Sequence, residues 1–451
     1  MNAYINGSRA PVKEEITAFD LEVTGHIPAE FEGRWLRNGP NPYGTVDPNS
    51  HHWFLGDGMV HGVRLREGKA EWYRNRWVKG TNLARRLGQE PPKGRCYGET
   101  GFSPNTSVIG NGDMTWALVE GGTTPISLTY ELETIGYDNF GGTLPAGFTA
   151  HTKLDKNTGE LHGICYTYPH IPDRVQHVVL GKDNQISKVT DIPLNGMPMI
   201  HDMSLTENYV IIYDLPVCVD LNMALEGVPF PMAWQPDHQP RVGLMRRDGD
   251  ASSIIWSEAP ECYVFHPVNA YEINKNEENE KVIVDLCRYE KIFDNDRLGP
   301  TETKPHLARW TIEPKKGEVR EEIINDLAHE FPSHDPRVST QKHRYAYTAD
   351  GLELGPTYKT NLDTGESTQH EHGLGRFGGE PLFVPREGST TEDDGWILVC
   401  VNDTKGSPAE LVILNAENIS DAPTARIHLP QRVPDGFHGA WVPDSEVFSN
   451  E

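Results

Sequence analysis

The chain has 451 residues, with 41 basic and 66 acidic side chains, so its formal net charge is −25 at pH 7. A balance this acidic argues against a nucleic-acid partner, because such partners favour basic surfaces. The 43 glycines and 34 prolines are spread along the chain, and this distribution predicts many turns rather than one disordered block.

The six cysteines form no CxxC pair and match no zinc-site spacing, so we expect reduced thiols rather than a disulfide framework. The first residues lack the basic and apolar regions of a secretory leader. No stretch approaches the roughly 18 apolar residues of a membrane span. These features predict a cytoplasmic protein.

In chain order, residues 1–30 read as an irregular N-terminal arm with a β tendency. Residues 63–77 predict a hairpin that turns at 66–69, and residues 83–87, followed by Gly88, are one of the few helical segments. Further turns are predicted at 156–159, 182–184, 314–317 and 363–365. Strong strands are predicted at 209–213, 281–285, 395–400 and 410–414.

The pattern contains no long amphipathic helix and no alternation of strand and helix, so the fold class is all-β. The length favours a β-propeller, because a meander closed on itself leaves no long exposed edge. No linker divides the chain, and residues 1–451 are predicted to form a single domain.

Four histidines each follow a short apolar run, at a predicted strand end. His266 stands between Phe265 and Pro267, where the proline is expected to end the strand, and the others are His151, His201 and His438. At about 60 residues per blade these histidines fall on different blades. Inner strands of different blades converge on the propeller axis, so the four imidazoles can meet there.

Imidazole is a ligand for Fe, Cu, Zn and Ni, so the histidines alone do not choose the metal. A neutral four-histidine shell leaves the +2 charge of a metal ion uncompensated, and ligating histidines usually donate their other N–H to a carboxylate. Glu120, Glu330 and Glu380 lie in apolar or turn settings and are predicted to supply these carboxylates. Two alternatives stay open at this point: a non-catalytic scaffold with structural histidines, and a metal-dependent propeller hydrolase.

Longer motifs surround these residues in a fixed order along nearly the whole chain. They are residues 37–42, 52–61, 150–153, 158–161, 201–209, 265–272, 330–332, 380–384 and 436–441. In these motifs the sequence resembles the carotenoid cleavage oxygenase family, and its bacterial members in particular.

The resemblance implies a seven-bladed β-propeller with a dome of loops and short helices over one face. It implies one non-haem Fe(2+) per chain, held by His151, His201, His266 and His438, with Glu120, Glu330 and Glu380 behind them. It also implies oxidative cleavage of a conjugated C=C bond, with O2 as co-substrate and two carbonyl products.

Thr106 matches a family position beside the open iron coordination site, where its methyl group restricts access. Trp53, Val119, Phe265 and Phe331 are predicted to line an apolar substrate tunnel, although each is equally consistent with a core position.

The residue before Glu120 bears on the substrate class. Stilbene-cleaving relatives have a lysine there, whereas this chain has Val119, which cannot hydrogen-bond a phenolate. An unpaired buried polar group costs about 1–3 kcal/mol, so a phenolic substrate is disfavoured. The resemblance therefore predicts an apolar polyene, a carotenoid or apocarotenoid; the alternative is a stilbene- or lignostilbene-cleaving member of the family.

Residues 221–234 are the most apolar loop-like segment. This segment either forms an exposed patch that makes peripheral contact with a membrane or folds onto the core.

Overall fold

The computed structural model describes residues 2–98, 101–351 and 355–444. Its antiparallel strands form seven sheets of four to six strands and one two-stranded ribbon. The seven sheets are the blades of a β-propeller, as predicted.

The first blade combines strands from early and late parts of the chain in the order β1–β5–β4–β3–β33. Its strands are β1 (Thr17–Phe19), β3 (Gly33–Pro40), β4 (Gly58–Arg66), β5 (Lys69–Trp77) and β33 (Gly439–Pro443). The late strand β33 is innermost and pairs with β3 from Gly33↔Pro443 to Arg37↔Gly439, so it closes the ring.

Five blades are continuous in sequence or interrupted only once. The second has β6 (Ser107–Asn111), β7 (Met114–Leu118), β8 (Ile126–Leu128) and β9 (Thr134–Tyr137). The third has β10 (Lys153–Leu154), β11 (Leu161–Thr167), β12 (Ile171–Leu180) and β13 (Ile186–Pro193). The fourth has β14 (Met203–Leu205), β15 (Tyr209–Asp214), β18 (Arg241–Arg246) and β19 (Ile255–Glu258). The fifth has β20 (Tyr263–Ile273), β21 (Lys281–Tyr289), β22 (His306–Glu313) and β23 (Glu318–Ile323). The sixth has β24 (Glu330–Ser333), β25 (Tyr345–Ala349), β26 (Thr357–Asn361) and β27 (Ser367–His370).

The seventh blade takes its outermost strand from the N-terminal arm. Its members are β2 (Val23–Gly25), β28 (Arg376–Gly378), β29 (Leu382–Pro385), β30 (Gly395–Asp403), β31 (Glu410–Asn415) and β32 (Ala425–His428). The predicted arm thus contributes one edge strand to each of two neighbouring blades.

Several short elements lie outside the seven sheets, and long loops with the second α-helix and the two-stranded ribbon form the predicted dome. The α-helices are α1 (Thr81–Arg86) and α2 (Leu221–Leu225), and the ribbon is β16 (Val217–Val219) with β17 (Met232–Trp234). Single 3-10 turns lie at Ala3–Ile5, Gly7–Arg9, Ala251–Ser253 and Pro336–Val338. Helix α1 is the predicted short helix, and Gly88 follows it with a φ of +69°.

The predicted strands and hairpin turns are confirmed, but the strand ends predicted at the histidines are not. The apolar runs before His151, His201 and His438 are not strands, and the strands β10, β14 and β33 begin after these histidines. His266 also differs from the prediction. The strand expected to end there runs on to Ile273, through Pro267. Register shifts on both sides of Pro267 absorb the missing N–H group in a bulge. The bulge keeps His266 within an inner strand rather than at its end.

Candidate metal centre

The four histidines occupy the inner strands of four blades, or the residues directly before them. His151 and His201 stand two residues before β10 and β14, His266 lies inside β20, and His438 directly precedes β33. Because inner strands surround the propeller axis, residues far apart in sequence meet at one point.

One nitrogen from each histidine lies within 4.8 Å of the corresponding nitrogens of the other three. The Nε2 atoms of His201 and His266 are 3.2 Å apart. Three of the rings are buried, and the side chain of His438 is 12% exposed. Nitrogens packed this closely need a shared partner, and a metal ion fits that need.

Burial lowers the pKa of His151 and His266 well below the usual histidine range, and the neighbouring imidazoles lower it further. Both rings are therefore neutral, which is the form that binds metal. Nε2 of His151 is also buried without a hydrogen-bond partner. The donor set thus fits a divalent transition metal.

Each predicted glutamate faces the Nδ1 atom of a different histidine. The distances are 2.9 Å for His201–Glu120, 2.5 Å for His266–Glu330 and 2.8 Å for His438–Glu380. The first contact is close but off the hydrogen-bond direction. A carboxylate behind Nδ1 favours the tautomer that leaves Nε2 free for a metal.

The environments of two of these carboxyl groups differ. Burial raises the pKa of Glu330 to about 7. Burial also acts to raise the pKa of Glu380, but the His438 ring and the backbone N–H of Gly439 outweigh it, so the pKa is lowered overall.

His438 is held in place by Asn38, a residue to which the sequence assigned no role. The backbone N–H of Asn38 donates to the His438 carbonyl (2.9 Å), and that of His438 donates to the Thr106 carbonyl (3.0 Å). Two backbone segments approach closely here, since a Cβ on Gly39 would lie 2.7 Å from the Cα of Gly436. Only glycines allow this contact, which explains both glycine-containing motifs.

A cavity of about 290 Å³, here called the dome cavity, leads to the cluster. His201, His266 and His438 lie at its inner end. Every predicted tunnel residue lines it, namely Trp53, Val119, Phe265 and Phe331, and so does Thr106.

Two of these aromatic rings pack directly on the histidines. Phe331 stacks on His266 at 5.5 Å between ring centroids, and Phe265 meets His201 edge-on at 4.8 Å. Phe331 has a left-handed φ of +49°, which a bulky residue adopts only under constraint from its surroundings. The backbone conformation thus helps to place this ring beside the cluster.

The hydroxyl of Thr106 donates to Oδ1 of Asn105 (3.1 Å). The amide of Asn105 in turn donates to the carbonyls of Phe54 and Gly56, both at 2.9 Å. The hydroxyl is therefore committed to the protein, which is consistent with a methyl group facing the cavity.

Several residues of the site were not identified from sequence. Tyr166 and Tyr289 line the dome cavity. Burial raises the pKa of both tyrosines, and the neighbouring carboxylates of Glu120 and Glu330 raise it further. Isolated tyrosines within strands carry no signal for this role. Phe54, by contrast, lies in the motif at residues 52–61, so its position beside Trp53 could have indicated that it lines the cavity.

A second cluster of possible metal ligands, Asp155, Glu160 and His162, is of a different kind. The guanidinium of Arg247 binds the Asp155 carboxylate and lies 3.3 Å from Nε2 of His162. A cation already occupies this position, so the cluster is a salt-bridge network.

Residues 221–234 prove to be partly exposed and partly structural. Leu221 and Leu225 on α2 are 59% and 87% exposed, whereas Met232 and Trp234 are buried. Leu221 and Phe230 line the dome cavity, so this segment forms part of its wall. Within the described ranges, no helix is long and apolar enough to cross a membrane.

Comparison with known proteins agrees with the geometry. A family model described as retinal pigment epithelial membrane protein matches residues 9–443. A carotenoid cleavage oxygenase of Mycobacterium tuberculosis is 41% identical over 496 aligned positions that cover 98% of both chains.

Two solved structures share the whole fold. A lignostilbene dioxygenase of Pseudomonas brassicacearum superposes with a TM-score of 0.87 at 27% identity, covering 98% of both chains. The cobalt-substituted apocarotenoid oxygenase of Synechocystis gives 0.84 at 26% identity, covering 96% of this chain and 97% of that one.

Proposed function

The chain belongs to the retinal pigment epithelial membrane protein family, and on this basis we propose that it is a non-haem Fe(2+) dioxygenase that cleaves a carotenoid or apocarotenoid. The reaction would break one conjugated C=C bond and add one oxygen atom of O2 to each carbon, giving two carbonyl products. One observation carries the proposal: four clustered histidines at the inner end of an apolar cavity.

His151, His201, His266 and His438 would hold one Fe(2+) through their Nε2 atoms, and Glu120, Glu330 and Glu380 would balance its charge. Bound ferrous iron would supply the redox chemistry that lets O2 react with an alkene. The protein residues would orient the polyene and keep water away. Four protein ligands leave coordination positions open, and the methyl group of Thr106 would narrow the approach to them.

The hydroxyl groups along the dome cavity favour a polyene over a phenol. Among the described residues that line it, Thr106 is bound to Asn105, and Tyr168 donates to the Pro198 carbonyl (3.2 Å). Burial raises the pKa of Tyr166 and Tyr289, and the neighbouring carboxylates of Glu120 and Glu330 raise it further. Val119 adds no cation, and the described residues of the lining include no lysine or arginine, so a phenolate would lack a positively charged partner there.

A stilbene-type substrate is the second candidate, since the fold closely matches a lignostilbene dioxygenase. The two functions are separated by aerobic incubation with a panel of carotenoids, apocarotenals and hydroxylated stilbenes under 18O2. We expect labelled aldehydes or ketones from the polyenes. Faster turnover of resveratrol or an isoeugenol-type substrate than of any apocarotenal would overturn the assignment.

Metal analysis of protein purified without added metal tests the centre itself. We expect close to one iron per chain, whereas zinc or calcium would favour a hydrolase and no metal a scaffold. His266→Ala should lose the iron and the activity. His372→Ala is the matched control: this histidine is also buried, but it hydrogen-bonds Thr357 (2.9 Å). It should lower stability and keep the iron.

The exposed leucines of α2 beside the cavity wall support a further part of the proposal. A long polyene partitions into lipid, and an apolar patch next to the dome cavity would let it pass directly from a membrane surface.

A further inference from the structure

The environment of His151 differs from that of the other three histidines. Those three each face a glutamate, whereas the nearest carboxylate to Nδ1 of His151 is Asp202, at 4.0 Å from Oδ2. That separation is too long for a direct hydrogen bond. A ligating histidine nevertheless needs an acceptor for its second N–H.

Asp202 is itself buried and firmly held. Its side chain is 2% exposed, Oδ1 accepts from the backbone N–H of Met203 (2.6 Å), and Oδ2 accepts from Nζ of Lys153 (2.6 Å). The carboxylate therefore cannot move toward His151 without losing one of these partners.

A second cavity of about 160 Å³, here called the axial cavity, reaches the cluster separately from the dome cavity. It is lined by His151, Asp202 and Lys153, none of which lines the dome cavity. Another cavity, of about 280 Å³, shares Lys153 and Pro267 with it and extends it along the third to sixth blades. A water molecule takes up about 30 Å³, so the axial cavity has room for one between polar groups.

From this geometry we infer that Asp202 is a positioning residue for His151, acting through one water molecule in the axial cavity. The inference rests on the proposed metal centre and adds a fourth carboxylate to it. The water would accept the Nδ1–H of His151 and donate to Oδ2 of Asp202. A bridging water suits a gap of 4.0 Å between polar atoms.

Lys153 explains why this fourth carboxylate does not add excess charge. When ionised, the three glutamates already outweigh the +2 charge of one metal ion. The ammonium group 2.6 Å from Asp202 cancels the fourth negative charge while leaving a carboxylate lone pair for the water. The ion pair thus orients His151 without changing the net charge of the centre.

The test compares three proteins loaded with Co2+: the parent, Asp202→Asn and Lys153→Met. Release of Co2+ to an excess of chelator and the visible absorption of the bound ion are measured, together with the thermal midpoint. Asn keeps an oxygen for the Met203 N–H, and Met keeps the Asp202 carboxylate. Asp202→Asn should release Co2+ about ten-fold faster, with a shifted spectrum, since outer partners typically contribute about 10–100-fold.

Lys153→Met breaks the same ion pair but leaves the acceptor for the water in place. We expect its release rate to stay within about three-fold of the parent, whatever its thermal midpoint. If both variants release Co2+ faster by the same factor, Asp202 acts only as a structural ion-pair partner, and the inference is overturned. Release from Asp202→Asn at the parent rate, or an unchanged spectrum, would overturn it as well. If the parent binds no Co2+, the proposed metal centre has failed instead.

Discussion

At the residue scale, the three glutamates behind the histidines are expected to act through charge. Glu120→Gln, Glu330→Gln and Glu380→Gln each keep an acceptor oxygen but remove a negative charge from the centre. Each should weaken iron binding about 10–100-fold without unfolding the protein. Metal competition against a chelator of known affinity measures the change.

Glu272 offers a matched control for these variants. It is a buried glutamate in β20, the strand that also carries His266, and it binds Thr206 and Asn208 rather than a ligand. Glu272→Gln should change stability and leave iron affinity at the parent value. Glutamine variants at the centre that bind iron as tightly as Glu272→Gln would rule out charge compensation.

Val119 provides a prediction about specificity. It is 6% exposed and lines the dome cavity next to Glu120. Val119→Lys places an ammonium group there, which can pair with a phenolate but is poorly solvated beside a polyene. We expect at least about a ten-fold fall in apocarotenal kcat/KM, equivalent to about 1.4 kcal/mol, and a relative gain for hydroxylated stilbenes. Val119→Leu is the apolar control and should retain the polyene preference.

The sequence indicated the four histidines because each lies in a recognisable motif, and the spacing of these motifs places the histidines on different blades. It could not indicate Asp202, because a 4.0 Å separation and a shared cavity leave no trace in residue spacing. Asn105 was missed for a similar reason: its role depends on two carbonyls of another loop.

At the element scale, the segment β16–α2–β17 forms part of the cavity wall and presents two exposed leucines. Leu221→Ser with Leu225→Ser should reduce co-sedimentation with liposomes and slow turnover of a liposome-embedded carotenoid. Turnover of a short, detergent-dispersed apocarotenal should change less. Leu374→Ser is the control, since Leu374 is fully exposed but lies outside the dome-cavity lining. Equal liposome binding by all three proteins would contradict membrane contact.

Phe230 is a poor choice for this test, although it belongs to the same apolar segment. Its ring stacks on His52 at 4.0 Å and lines the dome cavity, so a polar substitution would damage the interior.

The strands of the blades were predictable because alternation and turn residues are local signals. The roles of β1 and β2 were not, since they pair with residues 72–74 and 425–427. Local periodicity contains no information about such distant partners. The bulge at Pro267 could not be predicted for the same reason. Whether a proline ends a strand depends on the rest of β20 and on its partner strand.

At the scale of the whole molecule, many histidines away from the centre are buried and neutral. In each of them burial is the main cause of a lowered pKa, which falls to about 4 in one histidine and to about 3 in the others. They are His52, His61, His177, His329, His343 and His372, with His162 at about 4.

These groups predict loss of stability in mild acid. Below pH 6.5 the unfolded chain binds protons on histidines that stay neutral in the fold, so each destabilises folding by about 1.4 kcal/mol per pH unit. The loss should begin near pH 6.5 and continue toward pH 3–4. Thermal unfolding of metal-free protein should show a steady midpoint from pH 8 to 7 and a progressive fall below 6.5.

His329→Gln tests the assignment, because both ring nitrogens of His329 are hydrogen-bonded, one to Thr348 in β25 and the other to Asn325 in the preceding loop. The slope of its unfolding free energy against pH should be smaller by the contribution of one histidine, about 1.4 kcal/mol per pH unit. His26→Gln, at an exposed position, should leave the slope unchanged. A midpoint that is constant between pH 7 and 5 would contradict the prediction.

The strand that closes the ring has a consequence for the order of events in the cell. Residues 33–40 leave the ribosome early, whereas their partners, residues 439–443, leave after every other blade has been synthesised. His438 directly precedes that last strand, so a nascent chain can hold at most three of the four imidazoles. Full metal capture therefore waits for translation to reach the closing strand. A prematurely terminated chain would lack both the closure and a quarter of the ligand set.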